Sequence, residues 1–412
     1  MRRKLGFALG VLFLSHGSVQ GVSIEAKTYL DQVILTIQNN ALVSDQLDWT
    51  KLRREVLSKA SNAKNPEDTY PAIEYLFEQL RTKDHHSTFH TPQDAKKMQA
   101  KTRGTFGFRW SAYPQENVVT WVIPGSSAER AGMRGGDRIE KIGGQPPKAT
   151  SLMGINEVTL QLRRKGIPSS FQVKLKRSEI NINEAPKAWL LGERVGVLEL
   201  PGTTGQGMTP QGSYSELGQE ALRMLDMANP LCGWVVDLRK NDGGNMWPML
   251  AAVSPVLGEG KVGSFVGGGG LSFLKDWKYS EGKAILGFSV RSSVKKPYTL
   301  KHLFPPVAVL TSSQTASSGE ALAVAFKGRD KTRFFGEATL GIPTSNDVYT
   351  LSDGAVLVVT TMLDADRTGQ TYFTSMAPDE SVKVDWSLVN LPSDPVLLQA
   401  QNWLKIQSEC KE

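Results

Sequence analysis

Between Glu184 and Phe335, short apolar runs alternate with helix-patterned stretches, and this alternation constrains the fold more than any other feature of the chain. The runs 195–200, 233–238, 306–310 and 332–335 read as strands, and the stretches Tyr214 to Met227, Trp247 to Val253 and Ser318 to Lys327 read as helices. Strands and helices that alternate in this way build an α/β core, here with a mixed sheet. The glycine run Gly267 to Gly270 breaks the pattern and reads as an irregular excursion beside the functional site. No internal repeat is present.

Upstream, the periodicity changes twice. From Ser23 to about Gln99 apolar residues recur at helical spacing, as in Leu30-Val33-Ile34-Ile37 and Ile73-Leu76-Phe77-Leu80. Asp48-Trp49-Thr50 and Asn65-Pro66 carry the residues that open helices, and the helical region ends at Thr82-Lys83-Asp84. From Gly104 to about Ile180 short β-type runs follow, at 118–123, 138–142 and 170–175. With 412 residues, 40% of them apolar, the chain has material for about two or three domains.

Arg2, Arg3 and Lys4 precede an unbroken apolar or glycine run, Leu5 to Leu14, which is the pattern of a secretory signal peptide cut after Gly21. The run is too short to span a bilayer; an uncleaved anchor is the competing reading. The expected compartment is the periplasm or the extracellular space, with no stable membrane insertion after the cut. Cleavage removes three positive charges from a net charge of +7, and the modest excess that remains does not suit a nucleic-acid partner. Two cysteines, Cys232 and Cys410, make no disulfide scaffold. Cys232 precedes an apolar run and reads as a packing thiol, with a Cys232–Cys410 bridge as the alternative.

The chemistry begins at Thr311-Ser312-Ser313-Gln314-Thr315-Ala316-Ser317-Ser318-Gly319-Glu320, between an apolar strand and an apolar helix. A serine there sits at a helix N-terminus, where free N–H groups stabilise a developing oxyanion. The bland alternative is a helix cap with Glu320 in the first turn. Histidine usage points the same way as the serine: three of the five histidines, His85, His86 and His90, lie within six residues. A metal site is the rival for that cluster, but neither cysteine is adjacent and only one carboxylate, Asp84, is near.

Residues 124–139, Pro124-Gly125-Ser126-Ser127-Ala128-Glu129-Arg130-Ala131-Gly132-Met133-Arg134-Gly135-Gly136-Asp137-Arg138-Ile139, resemble the central segment of a PDZ domain. Thr105-Phe106-Gly107-Phe108 then takes the place of its carboxylate-binding loop, where a peptide's terminus docks as its chain adds as a strand. Asp237-Leu238-Arg239-Lys240-Asn241-Asp242-Gly243-Gly244 resembles the Asp-x-Arg-x-Asn-x-Gly-Gly loop of the C-terminal-processing (tail-specific) serine peptidases, and Gly336-Glu337-Ala338-Thr339-Leu340-Gly341 their Gly-Glu-x-Thr-x-Gly turn. The resemblance runs from about Asp48 to Val384.

It implies that Ser317, in Thr-Ala-Ser-x-x-Glu, is the nucleophile. Asp237 and Arg239 would brace the loop, and the N–H of Gly243 or Gly244 would join that of Ser318 in an oxyanion hole. Ile342-Pro343 stands where the lysine branch of the family has its base. Asp84-His85-His86-Ser87-Thr88 instead resembles the histidine segment of the tricorn-core-like and nisin-resistance-like branch, which makes His86 the general base; His85 replaces a residue that is usually glycine. Asp366 is the acid expected to orient His86, with a Ser/His pair or a turn-capping Asp366 as alternatives.

The resemblance thus implies an α/β multidomain protein: signal peptide 1–21, helical region 22–100, PDZ domain 101–182 and a crotonase-like peptidase core 183–412. It needs no cofactor and no metal, and its substrate is a protein or peptide with an accessible C-terminus. A PDZ-type scaffold without catalysis is the alternative from another class, and a core that cuts esters or small antimicrobial peptides is a third reading.

Overall fold

The computed structural model describes residues 21–99, 103–111, 117–267 and 271–411. The expected signal peptide, apart from Gly21, and residues 268–270 of the glycine run lie outside them. The described chain forms two compact units, one of residues up to 39 together with 43–83, the other of 40–42 together with 84–412.

The first unit is helical. Its helices Ile24–Asn40, Trp49–Lys59 and the greater part of Tyr70–Asp84 bury one apolar stripe each, including Leu30, Ile34, Val56, Ile73 and Phe77. Asp48 caps Trp49–Lys59 by accepting the Lys51 N–H at 3.0 Å. Pro66 opens a 3-10 turn, Glu67–Thr69, that leads into Tyr70–Asp84. The boundary between units falls after Lys83, so the segment Asp84 to His90 belongs to the second unit rather than to the helical region.

Among the described residues of the second unit, a six-stranded sheet runs in the order Glu380–Ser381, Thr332–Gly336, Val307–Thr311, Gly233–Asp237, Val195–Glu199, Lys187–Leu191. All neighbours are parallel except the last pair. The three central strands are buried along their whole length, which is why they read as unbroken apolar runs. Helices Tyr214–Ala228, Met246–Leu257 and Ser318–Phe326 pack a core around Trp234, Val309 and Leu322.

An eight-stranded sheet is built on the long strand Val356–Asp366, which pairs with Thr88–His90, Gly260–Val266, Thr344–Thr350 and Thr371–Tyr372. Beyond Gly260–Val266 the strands Asp276–Ser280, Lys283–Leu286 and Ser289–Ser293 complete it. A separate five-stranded sheet, Phe108–Ser111, Val118–Val122, Arg138–Ile142, Glu157–Arg163 and Phe171–Lys176, encloses its own core of Val119, Ile139, Leu160 and Leu175.

Cys232 and Cys410 form a disulfide, with Cα atoms 5.1 Å apart. This corrects the reading of Cys232 as a free packing thiol: the residue is buried, but the C-terminal turn Ser408–Cys410 brings its partner alongside.

Candidate active site

The strand Val307–Thr311 leads through a polar turn into the helix Ser318–Phe326. That turn is stapled to its neighbour: Ser312 Oγ donates to the Arg239 carbonyl at 2.7 Å, Thr315 Oγ1 to the Leu238 carbonyl at 2.9 Å, and the Ala316 N–H to the Asn241 carbonyl at 3.0 Å. At its end Ser317 adopts φ 51° and ψ −119°, a conformation that L-residues avoid unless their surroundings impose it. The imposing group is Glu320. Its buried carboxylate accepts the N–H groups of Ser317 (2.9 Å), Gly341 (2.8 Å) and Ile342 (2.9 Å). Burial pushes this carboxyl up, while those donors and the Thr339 side chain pull it down. Ser318 Oγ is engaged with the Gly244 carbonyl at 2.8 Å.

The adjoining loop follows the strand Gly233–Asp237. Arg239 is fully buried, held by Asp237 at 2.7 Å and Asp394 at 2.9 Å. Two carboxylates around one guanidinium compensate its loss of water, and, against the upward push of burial, the charge and hydrogen bonds of Arg239 hold the Asp237 carboxyl below the usual carboxylate range. A Cβ on Gly243 would lie 2.9 Å from Ser317 Cβ, so the close approach of loop and serine turn requires that glycine; one on Gly244 would lie only 2.1 Å from the Thr203 carbonyl oxygen, so the second glycine lets the loop pass the segment after Val195–Glu199. The expectation of Gly243 as an oxyanion donor is corrected: its N–H donates to Asn241 Oδ1 at 3.1 Å. No such bond engages the Gly244 N–H among the described residues.

His86 reaches the same place from the other sheet. Asp84 Oδ1 accepts the N–H groups of His86 and Ser87, each at 3.1 Å, and Asp84 Oδ2 accepts Ser87 Oγ at 2.5 Å. The following residues pair antiparallel with the long strand, Thr88 opposite Val358. His85, at the tip of this turn, takes φ 56° with its side chain exposed. The left-handed backbone is what a glycine supplies freely, and it turns the His85 side chain to solvent instead of toward His86. His86 Nδ1 lies 2.8 Å from Thr344 Oγ1. Removal from water holds the imidazole down at about 4, against the pull of Asp84.

Asp366 does not orient His86. Its carboxylate accepts the N–H groups of Thr368 (2.8 Å) and Gln370 (3.2 Å), Thr368 Oγ1 (2.6 Å) and the Tyr372 hydroxyl (2.8 Å), so it caps its own turn. Thr344 occupies the position against His86 that the acid was expected to fill.

Ser317, Ser318, His86, Gly244 and Thr344 line one cavity of about 410 Å³, whose apolar walls include Trp247, Phe265 and Met362. Sequence reasoning missed Thr344, which stands three residues after the Gly-Glu-x-Thr-x-Gly turn in a polar strand. It also missed Asp364, a buried lining residue that nothing in its surrounding sequence marks.

In the loop that leads into the five-stranded sheet, Phe106 is buried and Gly107 takes φ 88°, its N–H donating to Thr105 Oγ1 at 3.1 Å. Phe108 is also buried, and its strand Phe108–Ser111 lies at the edge of the sheet. Arg109 of that strand pairs with Asp242 at 2.8 Å, one residue before Gly243.

The model of Peptidase family S41 matches residues 194–382, and that of the PDZ domain matches residues 118–158. The nisin-resistance protein of Lactococcus lactis subsp. lactis is 30% identical over 190 residues, 45% of this chain and 55% of that protein. The chloroplastic C-terminal processing peptidase of Tetradesmus obliquus is 28% identical over 338 residues, 76% of this chain and 67% of that one. The chain therefore spans between about half and two thirds of the length of these relatives. Among solved structures, the photosystem II D1 C-terminal processing protease superposes with a TM-score of 0.59 at 21% identity, covering 94% of this chain and 99% of that one. A lipoprotein from Streptococcus agalactiae gives 0.56 at 19%, covering 96% and 99%; at these identities the likeness is one of fold. The two matched models fall in order along the chain: residues 118–158, in the edge-strand sheet, match the PDZ domain, and residues 194–382, which carry the glycine loop and the serine turn, match Peptidase family S41.

Proposed function

We propose that this chain is an exported serine endopeptidase that hydrolyses peptide bonds in proteins or peptides with an accessible C-terminus. The observation that carries the reading is the convergence of Ser317, in its strained turn, and His86, neutral and fixed through Nδ1, on one cavity.

In this account Nδ1–H of His86 donates to Thr344 Oγ1, which leaves the Nε2 lone pair to take the Ser317 proton as Oγ attacks the peptide carbonyl. The carbonyl oxygen becomes an oxyanion between the N–H groups of Gly244 and Ser318, where the N-terminal dipole of Ser318–Phe326 adds to the stabilisation. The imidazolium returns its proton to the leaving amine, and water repeats the cycle on the acyl-enzyme. Glu320 and the buried Asp237–Arg239–Asp394 cluster hold the turn and the loop in register and take no proton.

The PDZ domain assists recognition. Its strand Phe108–Ser111 lies at the edge of the sheet, and a substrate's C-terminal segment adds there as a further strand. The residues Thr105 to Phe108 would receive the carboxylate, the Gly107 N–H exchanging its bond to Thr105 Oγ1 for one to the ligand. Export rests on the charged and apolar start of the chain, and among the described residues no helix is long and apolar enough to cross a membrane.

An active-site-directed fluorophosphonate tests the reading. The label is expected on Ser317 alone, and lost in His86→Ala; labelling of Ser318, or of no serine in the folded protein, contradicts it.

A further inference from the structure

The cavity beside Ser317 holds a carboxyl group that the chemistry above leaves idle. Asp364 stands on the strand Val356–Asp366 directly opposite Phe265. It is 1% exposed, the most buried of the cavity's lining residues. Its Oδ1 is shut off from solvent and accepts no hydrogen bond among the described residues. No cation offsets it either: burial, and then the negative Glu320, both push its carboxyl well above the usual range, and nothing pulls it back. A buried acid without donors costs stability, and such groups persist where a ligand supplies the missing partner.

Part of the wall is apolar and well packed. Phe265 meets Trp277 edge-on at 4.8 Å and Trp247 at 6.5 Å between ring centres, and Met362 and Leu286 complete the lining. Arg291 also reaches the cavity, but it lies over the Trp247 ring at 5.8 Å and forms no ion pair with Asp364. Aromatic and aliphatic side chains beside a buried, unpaired acid, in a cavity whose lining also holds the exposed Asp347, fit a long aliphatic stem with a cationic tip.

We infer that Asp364 closes a substrate side-chain pocket beside Ser317, selecting a lysine or arginine next to the cleaved bond. The inference rests on the peptidase reading for the word substrate, but the pocket itself is testable by binding alone. The basic tip gives Asp364 the donors it lacks, and the pair forms away from water, where a charge-assisted bond is strongest. A residue of the same length without the charge leaves the acid unpartnered, so discrimination comes from the buried polar group as much as from the attraction.

The test uses the full chain carrying Ser317→Ala, and two peptides blocked at both ends so that no free carboxylate reaches the PDZ domain. They are identical except for lysine or norleucine at one position. Calorimetry is expected to give at least about tenfold tighter binding of the lysine peptide, and Asp364→Asn in the same background is expected to reduce the ratio to within about twofold. Equal or undetectable binding of the two peptides by Ser317→Ala overturns the inference without any Asp364 variant, and so does a lysine preference that Asp364→Asn leaves intact. Failure of the peptidase reading is a separate result: wild type and Ser317→Ala would then turn over the lysine peptide equally slowly, whatever the two affinities.

Discussion

Glu320 Oε2 accepts the N–H of Ser317 at 2.9 Å and that of Ile342 at 2.9 Å, so one buried carboxylate joins the serine turn to the segment leading to Thr344. The serine and the anchor of the histidine are thereby set by the same residue. Glu320→Ala removes acceptors from three N–H groups and should lower kcat/KM by on the order of a hundredfold while lowering the unfolding midpoint in urea. Glu320→Gln keeps one acceptor oxygen and should fall between. Wild-type kcat/KM in Glu320→Ala would mean that the turn holds its shape without the carboxylate.

The His86 imidazole, held down at about 4 by burial, is a base only while unprotonated. The sign follows directly: activity is absent below that value, rises as pH climbs through it, and is flat from about pH 6 to neutrality. An ordinary exposed histidine would put the rise about two units higher. Thr344→Val, which removes the contact to Nδ1, should lower kcat by about tenfold or more with a smaller change in KM, and Thr344→Ser should restore most of it. The pH profile of kcat/KM checks the first statement, and steady-state kinetics on the two variants check the second.

His85 tests backbone strain apart from chemistry. With φ 56° and an exposed side chain, His85→Gly should stabilise the chain by about 1 kcal/mol and leave kcat/KM within about twofold. A large loss of activity would assign the His85 ring a part in orienting His86.

Asp364 and pH give a stability prediction that involves no substrate. A carboxyl whose folded-state pKa is raised contributes fully below its unfolded value, and the contribution is lost as pH rises through the folded value. Asp364→Asn is therefore expected to raise Tm more at pH 8 than at pH 4. An equal change at both pH values would mean that the carboxyl is ionised in the folded protein without penalty.

The disulfide closes a loop of 178 residues, and its loss should cost about 2–4 kcal/mol, read as a lower urea midpoint for Cys410→Ser or under reducing conditions. An unchanged midpoint would place the bridge outside the cooperative core.

The strands Val195–Glu199, Gly233–Asp237 and Val307–Thr311 were legible because burial on both faces leaves contiguous apolar letters. The serine turn, the double-glycine loop and the histidine segment were legible for a related reason: each is a single stretch whose residues act together. What escaped depends on pairing across the chain. Thr344–Thr350 is a polar strand of the sequence TSNDVYT, and its register with Val356–Asp366 shifts between Ser345 and Asn346, so no local signal brings Thr344 to His86. Asp364 and Asp366 sit two residues apart on one strand face; only the structure separates a turn cap from an unpaired acid. Gly243 and Gly244 are likewise told apart by the structure alone, which places Asn241 Oδ1 on the Gly243 N–H.

The central claim is that Ser317 and His86 act as nucleophile and base, and the most direct measurement compares wild type, Ser317→Ala and His86→Ala in cleaving an unfolded protein and a peptide with a free apolar C-terminus. The account predicts cleavage by wild type and a loss on the order of a thousandfold or more in each variant, with peptide binding retained. A wild type that cuts neither substrate, yet binds the peptide as tightly as both variants do, would contradict it and make the chain a PDZ-type binding protein.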